Sequence, residues 1–300
     1  MPAGKVLGLA CGSVRGNAEI TLKAALRAAE EAGADVELVR LDELALPGGA
    51  AERDDRDWLW ERLVECDGLI VSTPIMNRAM AVQLKALSDR VLGPNADAAI
   101  IEGLVELRRQ GKEAAVPFRV DERVLKPRVA GFLAVGGALT GQWRALALPL
   151  MHMLTCSMQI AVVDQVQFGG AGLSRSIVLD EAALDRAAGL GRNVASQLGV
   201  PFDQARYLGP PGLCPLCHLD LVILRGPDVE CGTCGAAGRL GPDLQITWTD
   251  RSVSIISMQE RRAHAAEIQE TAARQRKLSA DIDERARPFD AYDPVVHPPR

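Results

Sequence analysis

The sequence predicts an α/β fold: a doubly wound sheet of parallel strands, followed by a small cysteine-rich module and a terminal helix. Three observations predict it. Five short apolar runs in the first 170 residues are nearly continuous, as expected of parallel strands covered on both faces. Helical patterns lie between these runs and imply right-handed βαβ units. The pattern stops near residue 199, and two Cys-x-x-Cys pairs follow within twenty-one residues.

The predicted strands and helices alternate along the first part of the chain. The strands are placed at residues 6–10, 36–39, 69–72, 129–135 and 160–163. Three of the predicted helices have one buried face, because their apolar residues are three or four apart. Two lie between the strands and one follows the last strand; their apolar residues are Leu22, Ala25, Leu26 and Ala29, then Leu84, Leu87 and Val91, then Leu184, Ala187 and Ala188. The result is a five-stranded sheet.

Two segments depart from this alternation. The connection 93–126 is unusually long and contains a predicted helix at 99–109. It is either a lid or binding loop, or a plain surface or subunit-contact insertion. The longest apolar stretch, 145–163, contains Pro149, His152 and Gln159, which makes it a poor membrane span. It is predicted to be a buried helix followed by a buried strand, with His152 as a core or interface residue.

The domain boundaries follow from the change in composition near residue 200. Residues 1–200 are assigned to the α/β domain. Residues 201–256 start with a Pro- and Gly-rich linker and form a small module with predicted strands at 221–224 and 244–249. Residues 257–300 comprise a polar, helix-prone segment, 258–286, and a proline-rich tail that is expected to be poorly ordered. His264 and Glu267 are assigned to the solvated face of that helix.

Composition excludes several classes of protein. The chain has 300 residues, 48% hydrophobic and 24% charged, which rules out disorder as the main state. Its net charge of −5 disfavours nucleic acid and anionic membranes as partners. The N-terminus shows no secretory signal, so the cytoplasm is the expected location. Seven cysteines are too few for a disulfide scaffold; Cys11, Cys66 and Cys156 are isolated and are predicted to be small buried residues.

The loop after the first predicted strand has the character of an anion site. It reads Gly-Ser-Val-Arg-Gly-Asn-Ala-Glu from residue 12, and a helix follows. Backbone N–H groups and the positive end of the helix converge there, with side-chain help from Ser13, Arg15 and Asn17. The spacing is neither the dinucleotide fingerprint nor a P-loop. The alternative is an ordinary strand–turn–helix with a capping Asn.

Two more loops favour a nucleotide site. Residues 72–80 follow the third strand and residues 136–143 follow the fourth. Loops that follow parallel strands gather at the carboxyl edge of the sheet, where ligands of open α/β sheets bind. A phosphate site on the first loop, beside two flat, backbone-rich loops, fits a mononucleotide with a planar ring.

Taken in order, these three motifs resemble those of the flavodoxin-like NAD(P)H-dependent FMN reductases, in particular the relatives of the iron–sulfur flavoproteins. The motifs are Gly12-Ser13-x-Arg15 with Asn17, then Thr73-Pro74-Ile75-x-Asn77 with residues 83–90, then Gly136-Gly137 with Gly141-Gln142. The resemblance covers about residues 4–198. It implies a flavodoxin-like sheet of strand order 2-1-3-4-5, a homodimer or homotetramer, and FMN near the subunit interface.

The resemblance also implies which residues hold FMN. The phosphate would be held by Ser13, Arg15, Gly16, Asn17 and Ala18. The ring would be lined by Thr73, Pro74, Ile75, Met76, Asn77, Gly136, Gly137, Gly141 and Gln142. The chain departs from the family in a shorter phosphate loop, in Ala18 where many relatives have a hydroxyl, and in Met76 where an aromatic is common. The N-terminal cysteine cluster of the iron–sulfur flavoproteins is absent from the sequence.

The implied activity is an FMN-dependent NAD(P)H oxidoreductase that passes electrons to a small acceptor such as a quinone or a flavin. No side chain is assigned as catalytic. One alternative is a flavodoxin-type electron carrier that docks protein partners through the cysteine module. Another is an assembly protein that keeps the fold without the cofactor.

The strongest local motif is the pair of cysteine knuckles, Cys214 with Cys217 and Cys231 with Cys234. Four thiolates at this spacing are typical of a metal site, and the module resembles a zinc ribbon. Rubredoxin-type iron is the alternative. Zinc is favoured because His218-Leu219 follows the first pair, where many rubredoxins have Gly and an aromatic. Residues 203–251 carry four Arg and six acidic residues, which disfavours a nucleic-acid role for the module.

Overall fold

In the computed structural model, residues 4–114 and 118–296 are described. Five strands form one parallel sheet of order β2-β1-β3-β4-β5, as predicted. The strands are β1 Lys5–Ala10, β2 Asp35–Arg40, β3 Gly68–Pro74, β4 Val129–Val135 and β5 Ala161–Phe168. This is the flavodoxin-like topology, and it places the loops after β1, β3 and β4 side by side at the carboxyl edge of the sheet.

Helices cover both faces of the sheet, which is why its strands are almost continuously apolar. They are α1 Asn17–Glu31, α2 Arg56–Glu65, α3 Val82–Leu87, α4 Ala98–Arg109, α5 Ala147–Met151, α6 Met153–Cys156 and α7 Glu181–Ala195. On one face α1 and α7 bury Leu22 and Leu190 against Val6, Ile70 and Leu133. On the other face the core is built from α2 to α6 and the opposite side chains of the same strands.

The predictions for the connections are partly confirmed. The helix predicted at 99–109 exists as α4, and the carboxylate of Asp97 caps it by accepting the N–H groups of Ala99 (2.9 Å) and Ile100 (3.1 Å). The apolar stretch 145–163 forms two short helices, α5 and α6, before β5. The sequence analysis did not place α2, whose polar residues dilute the apolar pattern; Leu59 and Leu63 bury its inner face.

The fifth strand is longer than predicted, running to Phe168 instead of residue 163. The prediction stopped at Asp164 because that residue is charged. The pairing of β4 with β5 shifts by one residue opposite Val163, so both Val163 and Asp164 face α7. Asp164 is fully buried there and accepts hydrogen bonds from Arg186 (2.9 Å) and Asn193 (2.8 Å). A satisfied carboxylate is therefore compatible with a central strand position.

The cysteine module is a four-stranded antiparallel sheet, β6 to β9 in order. Its strands are β6 Val222–Arg225, β7 Asp228–Cys231, β8 Ala237–Leu240 and β9 Ile246–Asp250. Only β6 and β9 correspond to predicted strands. β7 and β8 were missed because Gly and Cys interrupt any alternation of polar and apolar residues there.

The C-terminal part is helical over a longer range than predicted. It forms α8 Met258–Arg276 and α9 Ser279–Asp290, and α9 continues past Pro288, inside the tail that was expected to be poorly ordered. The tail residues 297–300 lie outside the described residues, as do residues 1–3 and 115–117. Among residues 4–114 and 118–296, no helix has the length and hydropathy needed to cross a membrane.

Candidate functional site

The three loops predicted to bind a ligand do converge. They enclose a cleft of about 530 Å³ at the carboxyl edge of the sheet, a volume typical of small-molecule sites. Nine of the residues predicted to contact FMN line it: Ser13, Gly16, Asn17, Ala18, Pro74, Ile75, Met76, Gly136 and Gly137. Arg15, Thr73, Asn77, Gly141 and Gln142 lie outside this lining.

The first loop leads into an uncapped helix. Gly16 is the N-cap of α1 and no side chain caps the helix, which excludes the alternative of a capping Asn. The first-turn N–H groups of an α-helix have no partner within the helix, so this end can accept an anion. Gly12 has a φ of +88°, and a Cβ at that position would lie 2.8 Å from Pro74. Glycine thus allows the first loop to pack against the second.

Asn17 fixes the loop after β5 to the cleft. Its side-chain amide donates to the carbonyls of Ala171 (3.2 Å) and Leu173 (2.8 Å), and its carbonyl accepts the N–H of Ile177 (3.0 Å). Both amide hydrogens are therefore used. As a result, Ala171 and Ser174 contribute to the cleft lining.

Arg15 has a different environment. Its backbone is left-handed, with a φ of 59°, and its N–H donates to Glu19 at 3.1 Å. Its side chain is exposed beside the first loop. The guanidinium is free to approach an anion placed at the helix end.

A buried acid stands close to this anion site. Glu19, in the first turn of α1, is ion-paired with Lys23 (2.6 Å) and Arg40 (2.9 Å). The hydrogen bonds from Arg40, with those from Lys23 and the Arg15 backbone, outweigh burial and lower the pKa of Glu19 to about 2. The two cations neutralise the carboxylate, which otherwise would oppose a phosphate at the same helix end.

The second loop is held in shape by Thr73. This buried hydroxyl accepts the N–H of Ala81 at 3.0 Å and donates to the carbonyl of Pro74 at 3.0 Å. Met76 and Ala79 exchange backbone hydrogen bonds of 2.8 and 2.9 Å, closing a tight turn. Asn77 lies exposed at the tip of this turn, in a left-handed conformation with a φ of 46°.

The third loop contributes backbone to the cleft. The N–H of Gly136 donates to the carbonyl of Phe168 at 2.9 Å. A Cβ on Gly136 would lie 3.2 Å from the side chain of Ile75, so the third loop packs closely on the second. Gly141 and Gln142 lie further along, in an exposed turn of 3₁₀-helix. The carbonyl of Gln142 accepts a hydrogen bond from the Arg78 side chain at 2.7 Å, which ties the outer parts of the second and third loops together.

Several lining residues were not among the predicted ones: Cys11, Gly12, Ala81, Val82, Gln83, Val135, Ala171 and Ser174. Gly12 and Val135 directly adjoin predicted residues, and Gln83 belongs to the motif at 83–90. Ala171 and Ser174 follow β5, and the rule that loops after parallel strands meet at one edge applies to them too. The sequence analysis ended β5 at residue 163, so it did not place residues 171–174 in a loop directly after a strand.

Large apolar side chains are exposed on the loops that form the cleft. Met76 and Val82, from the second loop and the start of α3, line the cleft itself. Leu139 and Trp143 lie further along the third loop, and Leu173 lies in the loop after β5. We call these five residues the apolar rim. Exposed apolar groups clustered around a cleft mark a binding surface.

The four predicted metal ligands form one cluster. The sulfur atoms of Cys214, Cys217, Cys231 and Cys234 all lie within 4.8 Å of one another, and all four residues are buried. The distances Cys214–Cys234 and Cys217–Cys231 are both 3.5 Å. Sulfurs about 2.3 Å from a tetrahedrally bound Zn²⁺ would be separated by a similar distance. The donor set therefore fits a metal ion bound by four thiolates.

The two knuckles have matching backbone geometry. The residue after each pair, His218 and Gly235, is left-handed, with φ values of 56° and 79°. Their N–H groups donate to the backbone carbonyl of the first cysteine of each pair, Cys214 (3.0 Å) and Cys231 (2.9 Å). This repeated turn brings each pair of thiols to the same side.

The module is docked on the sheet through Gln165 of β5. Its amide donates to the carbonyl of Cys217 at 2.7 Å, and its carbonyl pairs with Nε2 of His152 at 3.0 Å. His152 packs edge-on against Phe132, and burial lowers its pKa to about 4. His152 is thus the core histidine that was predicted. Tyr207 of the linker stacks on His218, with ring centroids 3.8 Å apart.

The fold and the cleft together define a flavodoxin-like protein with an open cleft at the carboxyl edge of its sheet. Residues 4–172, more than half of the chain, match the family model described as NADPH-dependent FMN reductase. The chain belongs to this family and is an FMN-dependent NAD(P)H oxidoreductase.

Individual relatives agree with this family. The chain is 37% identical over 259 residues to a flavone synthase of Aspergillus candidus, covering 79% of this chain and 78% of that one. It is 25% identical over 210 residues to an iron-sulfur flavoprotein of Methanocaldococcus jannaschii, covering 64% and 95%. A solved structure described as a flavone reductase is 26% identical, with a TM-score of 0.82, over 98% of this chain and 100% of the other.

Proposed function

We propose that the protein uses FMN and NAD(P)H to reduce a flat, conjugated aromatic ketone of the flavone type. The observation that carries this proposal is the apolar rim on the loops that form the cleft, of which Met76 and Val82 line the cleft itself. A rim of Met, Leu and Trp side chains suits a planar, mostly apolar substrate better than a charged one. Two relatives support the choice of a flavone-type molecule, because one is named a flavone synthase and the other a flavone reductase. Quinones and free flavin, also planar, are the other acceptors to be compared.

The FMN phosphate would bind at the N-terminus of α1. Backbone N–H groups of Asn17 and Ala18 would hold it, with the hydroxyl of Ser13 and the charge of Arg15 beside them. Asn17 contributes through its backbone because its side-chain amide holds the loop after β5. The Glu19 carboxylate stays neutralised by Arg40 and Lys23, so it does not repel the phosphate.

The ring system would lie against the second and third loops. Pro74, Ile75 and Met76 of the second loop and Gly136 and Gly137 of the third loop form adjoining parts of the cleft lining. Bound FMN would supply two-electron hydride chemistry, with the nicotinamide as donor and the second substrate as acceptor. In the net reaction NAD(P)H and one proton are consumed, NAD(P)⁺ is released, and the conjugated C=C bond becomes a C–C single bond.

The protein's own contribution to this reaction is placement. Thr73 holds the second loop rigid, so that Met76 is presented at the mouth of the cleft. The apolar rim would stack on the substrate and exclude water from its conjugated bond. This would hold the substrate in place for hydride transfer and limit side reactions with solvent. The described residues place no histidine or carboxylate in the cleft lining, so we assign no side chain as the proton donor.

Trp143 provides the test. It is 59% exposed, and Trp143→Ala is expected to raise KM for a flavone-type substrate about tenfold, since an aromatic contact contributes roughly 1–1.5 kcal/mol. NAD(P)H oxidation would be followed with flavone, quinone and free FMN as acceptors. Trp58→Ala is the matched control, because Trp58 is 44% exposed and stacks on Arg62 of α2. Equal effects of the two substitutions, or no turnover of any conjugated ketone, would refute the substrate assignment.

We further propose that the cysteine cluster holds structural zinc. The core of the module consists of the four cysteines and Ala236, with a few partly buried residues around them. A core this small cannot stabilise four short strands, so the metal bonds would replace it. Elemental analysis of the purified protein tests the metal. A red protein that bleaches on reduction would show iron instead and favour the electron-carrier alternative.

A further inference from the structure

Two arginines lie close together beside the cleft, one on the second loop and one on the third. The side chain of Arg78 donates from Nε to the carbonyl of Gln142 at 2.7 Å. The N–H of Leu146 donates to the carbonyl of Arg78 at 3.1 Å. Arg78 is therefore bonded to residues on both sides of Arg144, so the two arginines occupy the same part of the surface.

Neither of these guanidinium groups is neutralised within residues 4–114 and 118–296. Arg78 bonds only to the Gln142 carbonyl, and Arg144 donates from Nη2 to the carbonyl of Leu139 at 3.1 Å. The Nε atom of Arg144 is buried without a hydrogen-bond partner. Two like charges side by side repel each other, and an anion bound between them would relieve that repulsion.

The backbone of Arg78 is unfavourable for an arginine. Asn77 and Arg78 have φ values of 46° and 74°, and Met76 and Ala79 bond to each other across them. A turn with positive φ at both central residues is normally built from Asn followed by Gly. An arginine in the place of that glycine costs conformational free energy, which chain reversal alone does not require. Its side chain is therefore expected to contribute something that glycine cannot.

The loops around the cleft are positively charged although the chain as a whole is negative. Four arginines and no acidic residue lie in residues 12–18, 72–80, 136–146 and 169–176, whereas the net charge of the chain is −5. Two nearby carboxylates bond to the first loop: Glu19 accepts the N–H of Arg15, and Asp42 accepts the N–H of Gly12. Among the described contacts, neither bonds to the loops that carry Arg78 and Arg144.

The FMN phosphate does not account for these two arginines. Its proposed place is the N-terminus of α1 beside Arg15, whereas Arg78 and Arg144 are on the loops that contact the ring. The other polyanion in the reaction is NAD(P)H. Its nicotinamide must lie on the flavin ring to deliver a hydride, so its phosphates extend away from the ring over the surrounding loops.

We propose that Arg78 and Arg144 bind the phosphate groups of NAD(P)H while its nicotinamide lies on the flavin ring. The proposal rests on FMN occupying the cleft. Guanidinium groups bind phosphate oxygens through paired N–H bonds. Both Nη atoms of Arg78 and the Nη1 atom of Arg144 make no hydrogen bond to the described residues, so they are available for this role. The two arginines hold the hydride donor and take no part in the transfer itself.

Anaerobic reduction of the FMN-loaded protein tests this proposal with three hydride donors. NADPH and NADH carry phosphates, whereas N-benzyl-dihydronicotinamide has the same reactive ring and no phosphate. Arg78→Ala and Arg144→Ala should each raise the apparent Kd of the phosphate-bearing donors about tenfold, because each removes a charge-assisted bond. The phosphate-free donor should be unaffected. A loss with both NADPH and NADH assigns the diphosphate, and a loss with NADPH alone assigns its additional phosphate; either supports the proposal.

Arg192→Ala is the matched control. Arg192 is an exposed arginine near the end of α7, and it forms no ion pair among the described contacts. This variant should behave as the wild-type protein does with all three donors. Equal losses with the phosphate-free donor would show that the two arginines only shape the loops, and would overturn the proposal. Unchanged Kd values for NADPH and NADH would also overturn it.

The same experiment separates this proposal from the proposed function. If the wild-type protein is reduced by NADPH or NADH and the two arginine variants match it, only the phosphate assignment fails. If the wild-type protein retains FMN and is reduced by the phosphate-free donor alone, NAD(P)H is not the hydride donor, and both proposals fail together.

Discussion

Glu19 shows how single residues shape the N-terminus of α1, where the phosphate is proposed to bind. It is a nearly fully buried carboxylate in the first turn of α1, where the helix dipole favours negative charge. Arg40, which ends β2, and Lys23, one turn further along α1, neutralise it. The sequence alone could have suggested the Glu19–Lys23 pair from its spacing. Arg40 becomes a partner only because β2 pairs with β1 in register.

The Glu19 ion pairs predict a pH dependence of stability. The folded-state pKa of about 2 lies below the ordinary value of 4.5, so the stabilisation is complete above about pH 4.5 and is lost as the pH falls toward 2. Glu19→Gln should lower the free energy of unfolding by about 1–2 kcal/mol at neutral pH, and by much less near pH 2. Urea titrations across this pH range measure it.

Glu43→Gln is the control for this prediction. Glu43 also contacts Arg40, at 3.3 Å, but it is exposed, so its loss should change stability by only about 0–0.5 kcal/mol. A Glu19→Gln variant that loses the same stability at pH 3 as at pH 7 would contradict the assigned ion pairs.

Arg15 and Asn17 are expected to support FMN in different ways. Arg15→Ala removes a charge-assisted bond to the phosphate of roughly 1.5 kcal/mol, so the FMN dissociation constant should rise about tenfold, more at low salt than at high salt. Asn17→Ala removes three hydrogen bonds to the loop after β5, so it should weaken FMN binding and also lower the melting temperature of the apoprotein. Flavin fluorescence titration and thermal melts separate the two. Unchanged FMN affinity in Arg15→Ala would contradict the phosphate assignment.

At the scale of elements, side chains of β5 contact several parts of the molecule. The register shift at Val163 turns Asp164 toward α7 and leaves Gln165 and Gln167 on the other side. One strand therefore holds α7, the cysteine module and the third loop of the cleft. The sequence predicted this strand but not its length, because a periodicity argument treats Asp164 as the end of a strand. Its partners, Arg186 and Asn193, are distant in sequence and come close only in the folded chain.

The hydrogen bonds of Gln165 are expected to hold the cysteine module on the sheet. Gln165→Leu removes the bonds to Cys217 and His152, which contribute roughly 1–2 kcal/mol. Limited proteolysis within residues 201–212 should then be about tenfold faster. Gln167→Leu is the matched control, because Gln167 bonds only to the carbonyl of Arg144 among the described contacts. Equal cleavage of the two variants would show that Gln165 does not anchor the module.

At the scale of the whole molecule, the strands, the converging loops and the clustered cysteines were predicted from local patterns: continuous apolar runs, glycine-rich turns and paired cysteines. The strand order of the sheet was implied by the family resemblance. The sequence did not predict the structural roles of Thr73 and Asn17. Their side chains hold loops in place, and the residue type alone does not indicate such a role. The sequence also did not indicate that Ile282 and Phe289 of α9 are exposed, since the polar residues of that segment resemble those of any solvated helix.

The metal is expected to stabilise the cysteine module and not the parallel sheet. Removing it with a chelator should abolish hydrogen-exchange protection in residues 222–250, while β1 to β5 and bound FMN are retained. Cys217→Ser should have the same effect, whereas Cys156→Ser, which changes a cysteine outside the cluster, should not. Loss of protection throughout the chain would show that the two parts fold as one unit.

The central claim is that the cleft between residues 12–18, 74–76 and 136–137 holds FMN. A crystal structure of the protein purified with FMN tests it most directly. The account predicts one flavin in this cleft, with its phosphate at the N-terminus of α1 and its ring between Met76 and Gly137. A cleft closed by side chains, or a flavin bound elsewhere on the molecule, would contradict it.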